Sequence, residues 1–174
     1  MRGTYVALLA ALATTLAGCD LVAGVVVTPT PRLFEPPLET ESAIVTDVID
    51  GDTIRVDIIG GRQGVLVRYI GIDAPEVGTE PLAEESAAAN EDWVGGSEVF
   101  LESDLSDTDQ FGRLLRHVWI PEDAGWLNVN SELVRLGLAD ARSYPPDTEW
   151  DLYYSAAEQQ AREGGLGIWE LPAP

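Results

Sequence analysis

The stretch TIRVDI, residues 53–58, constrains the fold of this chain more than any other feature. Its isoleucine and valine side chains alternate with polar ones, which is the pattern of a strand with one buried face. The stretch AIVTDVI, residues 43–49, precedes it, and Asp50-Gly51 between the two is a strong signal for a two-residue turn. We therefore predict a β-hairpin over residues 43–59.

The rest of the chain adds short strands and helices. We predict strands at 64–72, 97–103 and 111–120, and helices at 80–94, 128–139 and 147–169. The last helix has Asp147 or Thr148 as a predicted N-cap, and Gly164-Gly165 ends it. Five such strands can close into a Greek-key barrel, so the predicted class is α+β, a five-stranded OB-type β-barrel with three helices.

The N-terminus has the pattern of an export signal. Arg2 precedes an apolar run over residues 5–18, which is too short to span a bilayer comfortably. The ending LAGC resembles the bacterial lipobox, which implies that Cys19 is lipid-modified and becomes the first residue of the mature chain. The alternative is a plain signal peptide or short anchor with an incidental cysteine.

These patterns divide the chain into four segments. Residues 1–19 are predicted to be a lipoprotein signal peptide, and the Pro/Thr-rich residues 20–42 a linker. Residues 43–170 form the predicted folded domain, and residues 171–174 a short tail. The expected location is therefore outside the cytoplasm, with the chain attached to a membrane through Cys19, and the expected state is a monomer.

The charge of the chain limits how it could bind a polyanion. The formal net charge is −20, and all ten basic residues are arginines. A tight non-specific nucleic-acid binder normally has a basic stripe that neutralises phosphates, and this chain has none. Any phosphate chemistry must therefore depend on a few individually placed arginines.

Three acidic side chains are predicted to meet at one rim of the barrel. Asp52 lies at the end of the hairpin, Asp73 lies where the third strand stops, and Glu76 follows the rigid Pro75. Two carboxylates about 4 Å apart repel by roughly 4 kcal/mol at an effective dielectric constant near 20. A bound proton or a bound cation would relieve this repulsion. Carboxylate oxygens without nearby histidine or cysteine favour Ca²⁺ or Mg²⁺ over zinc.

Two arginines complete this group. Arg68 is on the third strand and Arg113 begins a later one, and guanidinium groups match phosphate oxygens in geometry. Acids, a cation and arginines together favour phosphodiester hydrolysis. Arg68 and Asp73 are five residues apart, so a regular strand would place them on opposite faces. A bulge or turn near Gly71 would bring them together.

The sequence resembles the staphylococcal nuclease (thermonuclease) family from Ile44 to Trp169. The resemblance is in the ordered motifs VIDGDTIRV, VRYIGIDAPE, DQFGRLLRHV, LVRLGLA and AREGGLGIW. It implies an OB-type barrel with helices and cleavage of DNA and RNA with Ca²⁺, with Mg²⁺ as the alternative ion.

The resemblance also implies roles for individual residues. Asp52 and Asp73 would be the metal ligands, and Asp50 a supporting acid in the same turn. Glu76 would be the general base, and Arg68 and Arg113 would hold the scissile phosphate.

Two aromatic residues are further candidates for substrate contact. Phe111 stands where the family often has a tyrosine, and Tyr144 could offer a ring to a base or a phosphate. We expect Arg116, Arg135 and Arg142 to be solvated or in local ion pairs, and His117 to be an ordinary strand residue.

Two other functions remain open from the sequence. The chain could be a non-catalytic OB-type module that binds nucleic acid or protein, but a pure binder would also need a basic and aromatic surface. The same group of residues could also act on a different phosphodiester.

Overall fold

A computed structural model describes residues 32–170 of the chain. Nine strands are found there: β1 (Leu33–Phe34), β2 (Glu41–Val48), β3 (Thr53–Ile58), β4 (Val65–Tyr69), β5 (Ile72–Asp73), β6 (Glu98–Glu102), β7 (Leu114–Glu122), β8 (Gly125–Asn128) and β9 (Asp140–Ala141). Three α-helices accompany them: α1 (Ala83–Val94), α2 (Val129–Arg135) and α3 (Asp151–Gly164), and a 3₁₀ turn follows at Gly167–Trp169.

Five of the strands close into a barrel, in agreement with the predicted fold class. The strand order is β7-β4-β3-β2-β6, and β6 pairs with β7 to complete the ring. The β2–β3 hairpin is antiparallel as predicted, whereas β4 and β7 run parallel. Closure leaves none of these five strands with a free edge, so their backbone N–H and C=O groups can pair with neighbouring strands of the barrel.

The apolar faces of the strands fill the barrel. Ile54 and Val56 of the predicted alternating stretch are fully buried, as are Val67 on β4 and Leu114 on β7. Helix α2 is buried along its whole length, and Leu133 and Val134 belong to the same core. Burial of this apolar surface is the main force that holds helices and barrel together.

The helices differ from the predictions mainly at their ends. Helix α2 begins after Asn128, whose side chain accepts a hydrogen bond from the Ser131 N–H. Helix α3 begins after Trp150, so the prediction of Asp147 or Thr148 as its N-cap was wrong. The predicted end at Gly164-Gly165 is confirmed, since Gly165 adopts the left-handed conformation that often follows a helix.

The third predicted strand is two strands. β4 ends at Tyr69, and the chain turns at Gly71, which has a φ of +77°. β5 then pairs with β9, a short strand that the sequence did not reveal. Because the turn changes the direction of the chain between β4 and β5, the alternation of side chains along a single strand does not extend across it.

An N-terminal arm, residues 33–41, packs on the barrel. β1 pairs with β8, a second strand that was not predicted, and the Phe34 ring meets the rings of Trp119 and Trp150 edge-on. The composition of residues 20–42 predicted a linker, but residues 33–34 pair with a strand and β2 begins already at Glu41.

The remaining N- and C-terminal predictions lie outside the described residues. These are the signal peptide, the lipobox with Cys19, most of the linker and the tail 171–174. Within residues 32–170, the structure contains no helix with the length and apolar character needed to cross a membrane.

Candidate active site

The turn between β2 and β3 positions the first acidic side chain. The Asp50 carboxylate accepts a hydrogen bond from the Asp52 N–H at 2.9 Å, and the Asp50 carbonyl accepts one from Asn90 Nδ2 at 3.0 Å. A side chain at Gly51 would overlap Ser86 of helix α1, so only glycine fits between the two aspartates. Asp50 therefore supports the turn through the backbone of Asp52.

Asp52 is almost completely buried. Its Oδ2 accepts a hydrogen bond from the Ala74 N–H at 2.7 Å and forms an ion pair with Arg68 Nη1 at 2.8 Å, and its Oδ1 accepts a hydrogen bond from Thr53 Oγ1 at 3.1 Å. Burial raises the pKa of Asp52 to about 7, although Arg68 and the Ala74 N–H favour the ionised form. A single shared guanidinium therefore does not compensate for the burial of this carboxylate.

Arg68 joins the two predicted metal-binding acids. Its Nη1 lies 2.8 Å from Asp52 Oδ2, and its Nη2 donates to Asp73 Oδ1 at 3.0 Å. The turn at Gly71 makes this bridge feasible despite the five-residue spacing, as the sequence required. The planar guanidinium can serve both carboxylates at once because its donors form a fixed fork.

A second arginine touches Asp73 from the other side. β5 and β9 place Asp73 directly opposite Asp140, and Arg142 follows at the end of β9. Arg142 Nε lies 3.8 Å from Asp73 Oδ2, and its Nη2 lies 3.5 Å from Asp140 Oδ2. From the sequence, Arg142 was predicted to be solvated or in a local ion pair. It is in an ion pair, but the pair lies at the candidate site.

Arg113 is held by a loop that Asp109 organises. Asp109 accepts hydrogen bonds from the backbone N–H groups of Phe111 and Arg113, and from Arg113 Nε at 2.7 Å. Partial burial works against the ionised form of Asp109, but these hydrogen bonds outweigh it and lower the pKa of this carboxyl. The loop therefore fixes the Arg113 guanidinium at a defined place.

Arg68 and Arg113 line one cleft of about 520 Å³, here called the arginine cleft. Its walls include Leu115 and the two predicted aromatic contacts, Phe111 and Tyr144. Phe111 is 74% exposed and Tyr144 is 50% exposed, so both rings are available to a ligand. A guanidinium pair flanked by exposed rings can bind a phosphate and stack on a base.

Glu76 is exposed on the loop that follows Pro75. Its backbone N–H donates to Glu80 Oε2 at 2.7 Å. No contact found within residues 32–170 joins its carboxylate to Arg68 or to the two aspartates. The structure thus brings Asp52, Arg68 and Asp73 into direct contact and places Arg113, Phe111 and Tyr144 in the cleft that Arg68 lines.

The chemistry of these donors fits a hard cation. Asp52 and Asp73 offer carboxylate oxygens; they share Arg68, and the second arginine near Asp73, Arg142, lies 3.8 Å away and is also close to Asp140. The described part of the chain has no group of three or more acidic, histidine or cysteine side chains spaced to hold a metal. A cation here would therefore complete its shell with backbone oxygens and water, as Ca²⁺ readily does.

Comparisons with known proteins point to one family. A family model described as "Staphylococcal nuclease homologue" matches residues 66–171. A thermonuclease of Staphylococcus intermedius is 34% identical over 135 residues, which cover 75% of this chain and 77% of the relative.

Other relatives agree with this match. A thermonuclease of Staphylococcus hyicus is 33% identical over 130 residues, covering 72% of this chain and 73% of the relative. Endonuclease YncB of Bacillus subtilis is 34% identical over 128 residues, covering 70% of this chain and 58% of the relative.

Proposed function

Because the chain belongs to the staphylococcal nuclease family, we propose that it is a calcium-dependent nuclease that hydrolyses phosphodiester bonds of DNA, RNA or both. The observation that supports this most strongly is the bridge of Arg68 between Asp52 and Asp73 beside the arginine cleft. That bridge places two carboxylates next to guanidinium groups that can hold a phosphate.

We assign the cation to Asp52 and Asp73, with Ca²⁺ preferred and Mg²⁺ as the alternative. When bound, the cation polarises a phosphoryl oxygen and offsets the charge of the two carboxylates. Asp50 supports this pair indirectly, because its carboxylate holds the backbone of Asp52 in place.

The arginines hold the scissile phosphate in this proposal. Arg113 is fixed by Asp109, and Arg68 is fixed by the two aspartates, so neither guanidinium must reorganise when charge develops on the phosphate. Donors that are already oriented stabilise a transition state more than mobile ones do. Phe111 and Tyr144 would contact a neighbouring base or sugar at the rim of the arginine cleft.

Glu76 is the proposed general base. Its carboxylate is exposed and follows Asp73 by three residues on a loop that Pro75 directs. An ionised carboxylate within reach of a water molecule can take its proton as the water attacks phosphorus. Its exposure leaves it accessible to water and substrate.

The location and assembly of the protein are part of the same proposal. We propose that the chain acts outside the cytoplasm, attached to a membrane through lipidated Cys19, and that it works as a monomer. The support is the export pattern of residues 1–19.

Cleavage by the full chain tests the proposal. Single-stranded DNA and RNA are incubated with the protein in Ca²⁺, in Mg²⁺ and in EDTA. Glu76→Gln and Arg113→Gln are each expected to slow Ca²⁺-dependent cleavage by about 10²–10³-fold. Arg55→Gln, which removes an exposed arginine from β3, is the matched control and should cleave normally.

Absence of cleavage in this assay would favour another function. A folded protein that binds the cation but cleaves neither polymer would leave a non-catalytic OB-type module or an enzyme for a different phosphodiester. The net charge of −20 disfavours the binding module, because a polyanion is repelled unless a cation or the few arginines compensate.

A further inference from the structure

A second cleft lies against Asp73. It has a volume of about 310 Å³ and is lined by Asp73, Pro75, Glu80, Arg142 and Trp169, among others, and is here called the Arg142 cleft. Asp73 Oδ1 contacts Arg68, which lines the arginine cleft, whereas Asp73 Oδ2 faces Arg142. The proposed metal ligand thus stands between two clefts, each with a guanidinium group.

The position of Arg142 follows from the pairing of two short strands. The Arg142 N–H donates to the Gly71 carbonyl at 2.9 Å, directly beyond the register pair Ile72 and Ala141. Its side chain is 54% exposed, and within residues 32–170 its guanidinium makes two long contacts, 3.8 Å to Asp73 and 3.5 Å to Asp140. A guanidinium held this loosely retains donors for a ligand, unlike Arg116 and Arg135, which are buried in ion pairs.

Each of the two clefts has at least one guanidinium group in its wall. The chain has ten basic residues in total, and Arg68, Arg113 and Arg142 line the two clefts. Arg162 lies over the Trp169 ring, 3.5 Å from its centroid, at the wall of the Arg142 cleft. In a protein of net charge −20, these individually placed guanidinium groups would have to hold the phosphates, and a cation at Asp73 would offset part of the charge of the acids Asp73, Glu80 and Asp140 in the Arg142 cleft.

We propose that the Arg142 cleft is a second subsite, which binds the backbone phosphate of the nucleotide next to the scissile one. This rests on the proposed nuclease function. When a cation offsets the charge of Asp73, the pull of that carboxylate on Arg142 weakens and the guanidinium can turn to a phosphate. Pro75, Pro81 and Trp169 give the cleft an apolar surface against which the nucleotide can pack.

A competing role for Arg142 is to hold Asp73 in place. In that case its loss would disturb the metal ligand and slow cleavage of every substrate to the same extent. A subsite instead matters only for substrates long enough to reach it. The two roles therefore predict different dependence on substrate length.

The test compares two substrates on the full chain in Ca²⁺. One is a short single-stranded oligodeoxynucleotide, and the other is bis(p-nitrophenyl) phosphate, which has a single phosphate. Arg142→Gln should lower kcat/KM on the oligonucleotide at least fivefold more than on the single-phosphate diester, mainly through KM. Arg55→Gln is the control for removing one exposed arginine and should affect neither substrate.

Binding gives a readout that does not depend on turnover. Oligonucleotide affinity is measured in Ca²⁺ in the Glu76→Gln background, with and without Arg142→Gln, over a range of salt concentrations. Loss of one phosphate contact should reduce the slope of log affinity against log salt by about 0.7. Arg142→Lys, which keeps the charge, should restore most of that slope.

Two results would overturn the subsite. The first is an unchanged salt slope in Arg142→Gln. The second is an equal loss of kcat/KM on both substrates together with a higher Ca²⁺ requirement, which would assign Arg142 to holding Asp73. If no variant and no wild-type protein cleaves either substrate, the nuclease proposal fails, while the binding arm still decides whether Arg142 contacts phosphate.

Discussion

At the scale of single residues, the site depends on one guanidinium that serves two carboxylates. Asp52 is buried, and Arg68 is its only charged partner among the contacts found in residues 32–170. Removing one member of a buried pair is costly because it leaves the other charge without compensation. Arg68 therefore supports the fold as well as the proposed chemistry.

A double-mutant cycle measures this coupling. At pH 8, where Asp52 is mostly ionised in the wild type, Arg68→Ala is expected to lower the free energy of unfolding by about 3 kcal/mol, because buried Asp52 must then either stay charged without a partner or take up a proton. In the Asp52→Asn background the same change should cost much less, since no charge is left behind. Urea unfolding of the four proteins provides the numbers, and equal costs in both backgrounds would contradict this account.

The residues at the site were only partly predictable from the sequence. The motifs predicted Asp52, Arg68 and Asp73 as neighbours, which the structure shows in contact, and the turn at Gly71 explains how Arg68 and Asp73 meet. Arg142 was not recognised as a site residue because its place depends on pairing between β5 and β9, two strands of two residues each. Such a non-local register leaves no periodic signal in the sequence.

At the scale of elements, the turn between β4 and β5 decides where Asp73 lies. Gly71 has a φ of +77°, and a Cβ at this position would lie 2.5 Å from the Tyr154 ring of helix α3. Both the left-handed backbone and the close approach require glycine. The conformation of the turn thus depends on the positive φ of Gly71 and on its close packing against helix α3.

Gly71→Ala should therefore be more damaging than an ordinary glycine substitution. The expected loss in the free energy of unfolding is about 2–4 kcal/mol, from backbone strain plus overpacking against Tyr154. Gly60→Ala is a matched control with a φ of +75° and no atom within 4 Å of the added Cβ. That control should lose only about 1–2 kcal/mol by urea unfolding. Equal losses in the two variants would rule out the contact with Tyr154 as a cause.

His117 on β7 makes the contact between barrel and helix α3 sensitive to acid. Its Nδ1 lies 2.8 Å from the Tyr154 hydroxyl, and burial lowers the pKa of His117 to about 3, although Asp147 favours the charged form. Between the ordinary value of 6.5 and about 3, the unfolded chain binds a proton that the folded chain does not. Stability from this group is therefore complete above pH 6.5 and declines as the pH falls.

His117→Asn removes this titration and keeps a polar group near the Tyr154 hydroxyl. Between pH 7 and pH 4.5, the wild type should lose roughly 2–3 kcal/mol more stability than the variant. Urea unfolding at the two pH values measures the difference. An equal loss in both proteins would show that His117 does not contribute to acid sensitivity.

Local sequence patterns were enough to predict some of the strands and helices but not others. The β2–β3 hairpin was predictable because alternation and the Asp50-Gly51 turn agree. The start of α3 was not, because Asp147 accepts a hydrogen bond from the Ser106 N–H at 2.7 Å instead of capping the helix. The arm strand β1 was missed because it pairs with β8, which lies far along the chain. Strand β8 forms a local hairpin with β7, but the turn between Glu122 and Gly125 was not recognised in the sequence.

At the scale of the whole molecule, a strongly negative protein is predicted to act on a polyanion. The net charge of −20 opposes approach, whereas the arginines at the two clefts act only at short range. The divalent cation that we propose at Asp52 and Asp73 would also favour capture of the substrate. Basic nucleic-acid binders differ in this respect, because their overall positive charge attracts the substrate.

Association kinetics should reveal this long-range repulsion. The association rate constant for a single-stranded oligonucleotide is expected to rise at least twofold from low to physiological salt, because screening weakens repulsion between like charges. Stopped-flow measurements on the Glu76→Gln protein in Ca²⁺ avoid interference from cleavage. A rate constant that falls with added salt, as for a basic protein, would contradict this expectation.

The most direct test of the account is the dependence of cleavage rate on Ca²⁺ concentration, measured for wild type and Asp73→Asn. Asp47→Asn on β2, which removes an exposed acid, is the control. The account predicts no cleavage in EDTA, at least a tenfold higher half-saturating Ca²⁺ concentration in Asp73→Asn, and an unchanged value in the control. Full activity in EDTA, or an unchanged Ca²⁺ requirement in Asp73→Asn, would contradict it.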